Sequence, residues 1–527
     1  MAVRMTPDQR RNSGNRTNIP SQRPSGGGGI GGGLGNLLPM LIGVLFKKPK
    51  LLLLVVVLGG LWWYFSGRHG GGGDMISQLA GFSTGADLDP AEYDKAEVYE
   101  PLADNVKNPL PERVSLEQFC PPRLNQGQQG SCVAWASAYA ARTIVQAQAT
   151  GSDPRRSAFS PAYMYNQIKI DGSDCQGSYI HRAMDQMSKT GALPFSQFAY
   201  TDQSCSQQPT REEVQKAVPF RIKGFQRLSS EADPQSRVDM LAMKQQLAQG
   251  APVVIGMMVG GSFMQAMEGR EVWIPSQGDV SMQGFGGHAM CVVGYDDFKF
   301  GDQGGFLIMN SWGPEWGKNG MAWVPYDAFD HFTREAYAVY PMGEGVDVKP
   351  SRFDIAFGFA EVDEEGSATG RNIPVSQVAG NVFRTNAPVA KGSRFKIEVT
   401  NNAECYTYVF GQEATGEPYV LFPYTPKHSP YCGITGTRLF PSDHSLEPDE
   451  VGERDVIAIL VTNQPFDYPR INEGLKASQA QGLKAKLDAV LGDELASDVQ
   501  FRDGHTIGAS SSQGRNALAV VLELDKR

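Results

Sequence analysis

The stretch that decides the reading is NQGQQGSCVAWASAYAARTIVQAQA, from Asn125 to Ala149. Its opening carries Gly127 and Gly130 among three glutamines, an irregular turn that does not propagate a helix. From Ser131 onward the residues are small or apolar almost all round, so the pattern predicts a buried helix of about 18 residues. Cys132 opens that helix, where amide hydrogens and the helix dipole favour negative charge on sulfur. Taken alone, a cysteine beside Val133 and Ala134 is equally well explained as a small core residue.

Two more helices follow. Ser160 caps the segment SPAYMY with Pro161 in the first turn, and Ser178 to Gly191 supplies the next. From Ala251 the texture changes to short runs rich in Val, Ile and aromatics: PVVIGMMV, EVWIP, HAMCVVGYD, GGFLIMNSW and REAYAVY. Helices first and antiparallel strands second, with a site between them, is an α+β arrangement of two lobes. His288 stands after Gly286 and Gly287 at the start of one strand, and Asn310 follows FLIM and precedes Ser311 and Trp312.

The pieces NQGQQGSCVAW, GGHAMCVVGYDD and IMNSWGPEWGKNG, far apart along the chain, together resemble the papain-like C1 family of cysteine proteases. The resemblance runs from near Val114 to near Pro341. It implies a papain-like domain with a helical lobe and an antiparallel β-sheet or barrel lobe. Cys132 is then the nucleophile, His288 its base held as an ion pair, and Asn310 the group that orients the second ring nitrogen under Trp312. Gln126, six residues before Cys132, becomes the side-chain donor to the oxyanion, and Gln176, Gly177 and Ser178 the wall along which substrate lies. The implied reaction is hydrolysis of protein or peptide substrates through an acyl-enzyme, with no metal and no other cofactor. The chain departs from the family at Val133 and Trp135, and at Gln129, where the family has a cysteine. The alternatives are an inactive exported binding scaffold, or an amidase or transpeptidase using the same nucleophile.

The remaining sequence sets the context. A length of 527 residues with net charge -9 asks for more than one domain and argues against nucleic acid as a partner. Residues 1–36 are rich in Gly and Arg and read as a disordered cytoplasmic tail. Residues 37–69 read as a membrane-anchor region, its main apolar run 51–65 preceded by the Lys47, Lys48 and Lys50 cluster and ended by Trp62, Trp63 and Tyr64. The lipid bilayer is thus an expected partner. The setting expected is a bacterial inner membrane crossed once, with a cytoplasmic amino terminus and a periplasmic catalytic domain; an interfacial hairpin of the two apolar runs is the alternative. Residues 70–113 read as a linker, a strap across the amino-terminal lobe or a propeptide, 114–345 as the protease domain, and 346–527 as a mainly β accessory domain. That last unit has strand-like segments FDIAFGFAEV, SRFKIEVTN, CYTYVFGQE, PYVLFPY, DVIAILVTN and NALAVVLEL, and a helix from Ile471 to Leu491. It resembles the bacterial DUF4384 family, which implies substrate presentation, contact with an envelope protein partner, or envelope tethering. Seven cysteines leave one unpaired in an oxidising compartment, and the expected disulfides are Cys175 with Cys205 and Cys405 with Cys432.

Overall fold

The computed structural model describes residues 3–8, 83–232, 237–340, 353–413, 415–504, 506–511 and 514–527. The expected anchor at 37–69 lies outside them, as does most of the expected tail. Among the described residues no helix is long and apolar enough to cross a membrane.

Residues 132–150 form one continuous helix, α-wound over Cys132–Ala134 and Thr143–Thr150 and π-wound over Trp135–Arg142. Its many alanines let neighbours approach from all sides, which is why Ala134, Ala138, Ala141 and Ile144 are fully buried. Gly151, at φ 66°, ends it in the left-handed conformation. The capped helix is Pro161–Ile168, with the Tyr163 amide donating to Ser160 Oγ at 3.0 Å. Ile180–Lys189 completes the helical lobe.

The second lobe is an antiparallel sheet in the order Gly224–Arg227, Thr333–Tyr340, Val253–Val259, Gly286–Phe300, Gln303–Met309 and Met321–Pro325. Arg113–Ser115 pairs alongside Gly286–Phe300. EVWIP, expected as a strand, is not one: only Val272 bridges to Trp323. Trp273 turns inward instead, its ring against Phe263 and Phe332 and its indole N–H donating to Ser262 Oγ at 3.0 Å.

The accessory domain is two packed sheets. Phe353–Val362 and Phe395–Asn401 lie in one, Cys405–Gln412, Arg454–Thr462 and Ala517–Asp525 in the other. Phe357, Phe359 and Phe395 meet Ile457, Ile459, Val520 and Leu522 in the core between them. The alternate residues Ala458, Leu460, Ala519 and Val521 face two helices on the outer side. These are Tyr468–Ala477 and Gly482–Leu491 rather than the single helix expected, because the backbone turns extended at Ser478 and again at Gln481 between them.

Two expectations need correction. Val3–Pro7 is not tail but a strand paired with His444–Pro448, and Asp8 beside it takes the buried Lys396 ammonium at 2.7 Å. A single membrane crossing between residues 8 and 83 would put those partners on opposite sides, so this pairing and the single-pass topology exclude each other. Cys175 and Cys205 form the expected disulfide. Cys405 and Cys432 do not: they face each other across neighbouring strands as buried thiols, both near Thr407 Oγ1.

Residues 83–113, in the stretch expected as a linker, a strap or a propeptide, are built into the fold. Val98 pairs with Arg227 of the catalytic sheet on one side and with His428 of the accessory domain on the other. The Val98 amide donates to Lys427 O at 2.7 Å, and the Tyr99 amide to Arg227 O at 3.1 Å. Buried Glu100 accepts from Tyr424 OH at 2.9 Å, while its carbonyl takes Arg438 Nε at 3.1 Å. The two domains are joined through this shared stretch.

Candidate active site

Each catalytic candidate is placed by the element carrying it. The helix start carries Cys132, and His288 lies opposite Met257 in the sheet. The Ala289 amide donates to Cys132 Sγ at 3.4 Å, so the sulfur abuts the residue that follows the histidine. Asn310 ends the neighbouring strand, with His288 Nε2 and Asn310 Oδ1 2.7 Å apart.

The tautomer follows from the partners. Asn310 Oδ1 also accepts the Ser311 amide at 2.7 Å, which fixes that atom as oxygen and requires His288 Nε2 to be the donor. Nδ1 is then the basic nitrogen, and it is buried without a hydrogen-bond partner among the described residues. Trp312 stacks on the imidazole at 4.4 Å between centroids and shields the bond to Asn310 from water. Asn310→Ala should lower kcat/KM about 10- to 100-fold, the worth of a buried hydrogen bond to a group that becomes charged. A pH–rate profile checks it: the basic limb attributed to His288 should move to lower pH, with the unfolding free energy changed by no more than about 2 kcal/mol.

Gln126 is oriented by Ser311 Oγ, which donates to Gln126 Oε1 at 2.6 Å. Its Nε2 points at Ser83 O, 3.1 Å away, and at Gln129 O, 2.9 Å away. Trp312 Nε1 donates to the same Ser83 oxygen at 2.9 Å. A carbonyl of the chain itself thus stands where the oxyanion donor would meet a substrate carbonyl.

That carbonyl belongs to residues 83–88, part of the stretch expected as a linker, a strap across the amino-terminal lobe or a propeptide, and these residues form a strap. The Gly85 and Ala86 amides donate to Gly287 O at 3.2 and 3.1 Å, the Ser178 amide to Gly85 O at 2.9 Å, and the Asp87 amide to Ser178 O at 3.1 Å. Ala86 pairs parallel to Ser178, so of the three expected wall residues Ser178 alone bonds the strap. Gly177 lies beneath Gly85 O, and Gln176 packs on Gly130, where any Cβ would stand 2.6 Å from the Gln176 backbone. Leu88 fills a cup at Gly256 and Gly287: a Cβ on Gly256 would sit 2.4 Å from Leu88 Cδ2 and 3.1 Å from Ile180 Cδ1. The only signal in the sequence was Gly85 itself, in a stretch without periodicity.

The strap sets the electrostatics. Cys132 and His288 are both 0% exposed. Burial pushes the Cys132 thiol up to about 12, against the pull of the Ala289, Val133 and Ala86 amides around it, and burial holds His288 down to about 4. Burial in the covered site thus works against the expected ion pair and favours the neutral thiol and imidazole. The disulfide at Cys175 ties the wall that carries Ser178 to Cys205.

Two buried carboxyls give the covered form its pH dependence. Burial raises Glu335, beside the Leu88 cup, and Glu100 in the interdomain stretch each to about 8, from an ordinary 4.5. A group raised in this way holds its proton while the unfolded chain releases it, so stability is lost as pH climbs from 4.5 to 8, at about 1.4 kcal/mol per unit for each. His288 acts the other way, losing stability as pH falls from 6.5 towards 4, and His181 and His428, also held down by burial, act with it. The thermal midpoint should be higher at pH 5 than at pH 8, and Glu100→Gln should flatten that slope.

Among the described residues no group of three or more His, Cys, Asp or Glu is arranged to hold a metal.

Comparison with known proteins agrees with this geometry. The family model described as papain family cysteine protease matches residues 111–342. An uncharacterized peptidase C1-like protein of Acanthamoeba polyphaga mimivirus is 28% identical over 208 residues, which are 38% of this chain and 64% of that protein. The chain thus spans just under two thirds of that relative's length. Human cathepsin L2 is 24% identical over 240 residues, 44% of this chain and 66% of the relative. Xylellain, a cysteine protease from Xylella fastidiosa, has a solved structure with 26% identity, covering 50% of this chain and 96% of its own, at a TM-score of 0.41. Motif, geometry and family model coincide on one region, and the chain carries a papain-family C1 cysteine peptidase domain over residues 111–342.

Proposed function

We propose that the chain is a cysteine peptidase kept latent by its own strap, Ser83 to Leu88. The observation that carries this is the double occupancy of Ser83 O by Gln126 Nε2 and Trp312 Nε1, directly beside an Asn310-oriented histidine and a cysteine against Ala289. Ala86, whose amide donates to Gly287 O, brings the strap's backbone close to the sulfur. With the strap away, water reaches the pair, the burial that holds the thiol up and the imidazole down is relieved, and the charged pair becomes accessible. Cys132 then attacks a peptide carbonyl while Gln126 Nε2 and the Cys132 amide hold the oxyanion. His288 protonates the leaving amine, and water attacks the thioester with His288 as base.

The cup that holds Leu88 favours peptides with a branched apolar side chain at that position. Turnover of a peptide library, read by mass spectrometry against Cys132→Ala, tests both statements. Cleavage that persists in the variant would remove the assignment, and products without branched apolar enrichment would remove the preference.

We also propose membrane attachment through residues 37–69, with the accessory domain contacting an envelope protein. The Val3–Pro7 pairing places a condition on this, since residues 3–8 and 353–527 must share one side. Protease protection of tags at each terminus in sealed vesicles checks it: both protected or both digested is expected.

A further inference from the structure

The outermost strand of one accessory-domain sheet comes from the other end of the chain. Val3–Pro7 runs antiparallel to His444–Pro448, with Met5 opposite Leu446 and Thr6 opposite Ser445, and among the described residues no further strand lies beyond it. Residues 9–82 separate this strand from Ser83, so the sheet holds it by pairing and side chains rather than by a short connection.

Two of its side chains enter built sites. Met5 packs against the core between the two sheets. Asp8, three residues on, puts its carboxylate into a buried cradle: Lys396 Nζ donates to Oδ2 at 2.7 Å and Ser445 Oγ to Oδ1 at 2.5 Å, while the Asp8 amide donates to Asp443 O at 3.3 Å. Lys396 is 2% exposed and Ser445 0%. Gly366, at φ 79°, closes the cradle, and a Cβ there would stand 2.1 Å from Asp8 Oδ2. Lys396 Nζ also donates to Ser442 O at 3.0 Å, which fixes the ammonium where a carboxylate meets it. A buried, charge-assisted pair of this kind selects an acid over its amide. Thr6 fits less well. Its Oγ1 is buried with no hydrogen-bond partner among the described residues, a cost that an apolar side chain of the same shape would not carry. The slot thus specifies an extended backbone, an apolar side chain and an acid three residues later, and the chain's own segment meets that specification imperfectly.

We propose that this slot is a docking site for an extended segment of a protein partner, which pairs with His444–Pro448 and sets an acidic side chain on Lys396, residues 3–8 being the occupant it displaces. Charge complementarity to the buried ammonium and the misfit at Thr6 favour such a partner over the chain's own strand. This deepens the reading that the accessory domain contacts an envelope protein.

The test uses the full chain carrying Asp8→Lys, which sets a cation against Lys396 and empties the slot, and a fluorescent synthetic peptide with the sequence of residues 1–10. Met5→Asp, in the full chain, is the second variant that empties it. Fluorescence anisotropy should show the peptide binding these chains at least about tenfold more tightly than wild type, where the resident strand competes. The Asp8→Asn form of the peptide should bind at least about tenfold more weakly, and its Thr6→Val form at least about twofold more tightly. Equal binding of the acid and amide peptides, or no binding to either variant, would overturn the proposal. Light scattering identifies the other possible occupant: a dimeric wild-type chain that becomes monomeric with Asp8→Lys would show that a second copy fills the slot, and would overturn it too. The peptide assay contains no envelope protein, so a failure of that wider reading leaves its result standing.

Discussion

Cys132→Ala, in a chain whose groove has been opened, should lose peptide turnover by on the order of 10^4-fold or more, and His288→Ala should fall nearly as far. The two losses are not additive, because the sulfur and Nδ1 act as one unit: without the imidazole the thiol has no local acceptor for its proton, and without the thiol the imidazole has nothing to activate. The double variant should therefore be no worse than either single one by more than about tenfold. Steady-state rates on a library-derived peptide measure this, with thermal unfolding as control for folding. A Cys132→Ala chain that still turns over the peptide would show the chemistry to lie elsewhere.

Gly85→Ala should act in the opposite direction, and strongly. Gly85 adopts φ 151°, and a Cβ built there would stand 2.3 Å from Gly130 O and 2.5 Å from Gly130 C and Cα. Backbone cannot yield as a flexible side chain end does, and the conformation itself disfavours any residue with a Cβ. A penalty of about 2 to 3 kcal/mol on the strapped form raises the open population roughly 30- to 150-fold, until opening is complete. Uncut Gly85→Ala chain should thus react with a Cys132-directed electrophile far faster than uncut wild type. Equal rates would mean that the strap does not govern access.

What could be read from the sequence was whatever depends on local pattern or a fixed spacing. The helix from Cys132, the Ser160 cap and the strands carrying His288 and Asn310 are each specified by residues within a few positions of one another. Cys132, His288 and Asn310 stood out as candidates because their neighbours are so constrained: glycines before His288, and Ser311 and Trp312 after Asn310. What escaped has no local mark. Ser83 to Leu88 has no periodicity, and its conformation is imposed by amides and carbonyls of Gly287 and Ser178, some 90 to 200 positions away. The stretch around Val98 looked like linker because its prolines and charges suit a loop, yet both of its edges are paired by strands distant in sequence. EVWIP has strand composition, but Trp273 is worth more in a packed aromatic cluster than on a sheet face. Spacing alone suggested two disulfides of about 30 residues each, and spacing does not distinguish Cys175–Cys205, which is bonded, from Cys405 and Cys432, which are not.

The most direct measurement is to open the groove, treat the folded chain with a peptidyl electrophile and map the adduct by mass spectrometry. A single adduct on the sulfur of Cys132, nearly absent when His288 is replaced by alanine, is what a latent thiol–imidazole pair under a removable strap predicts. Adducts confined to Cys120, Cys291, Cys405 or Cys432, with Cys132 unmodified in folded chain, would contradict it.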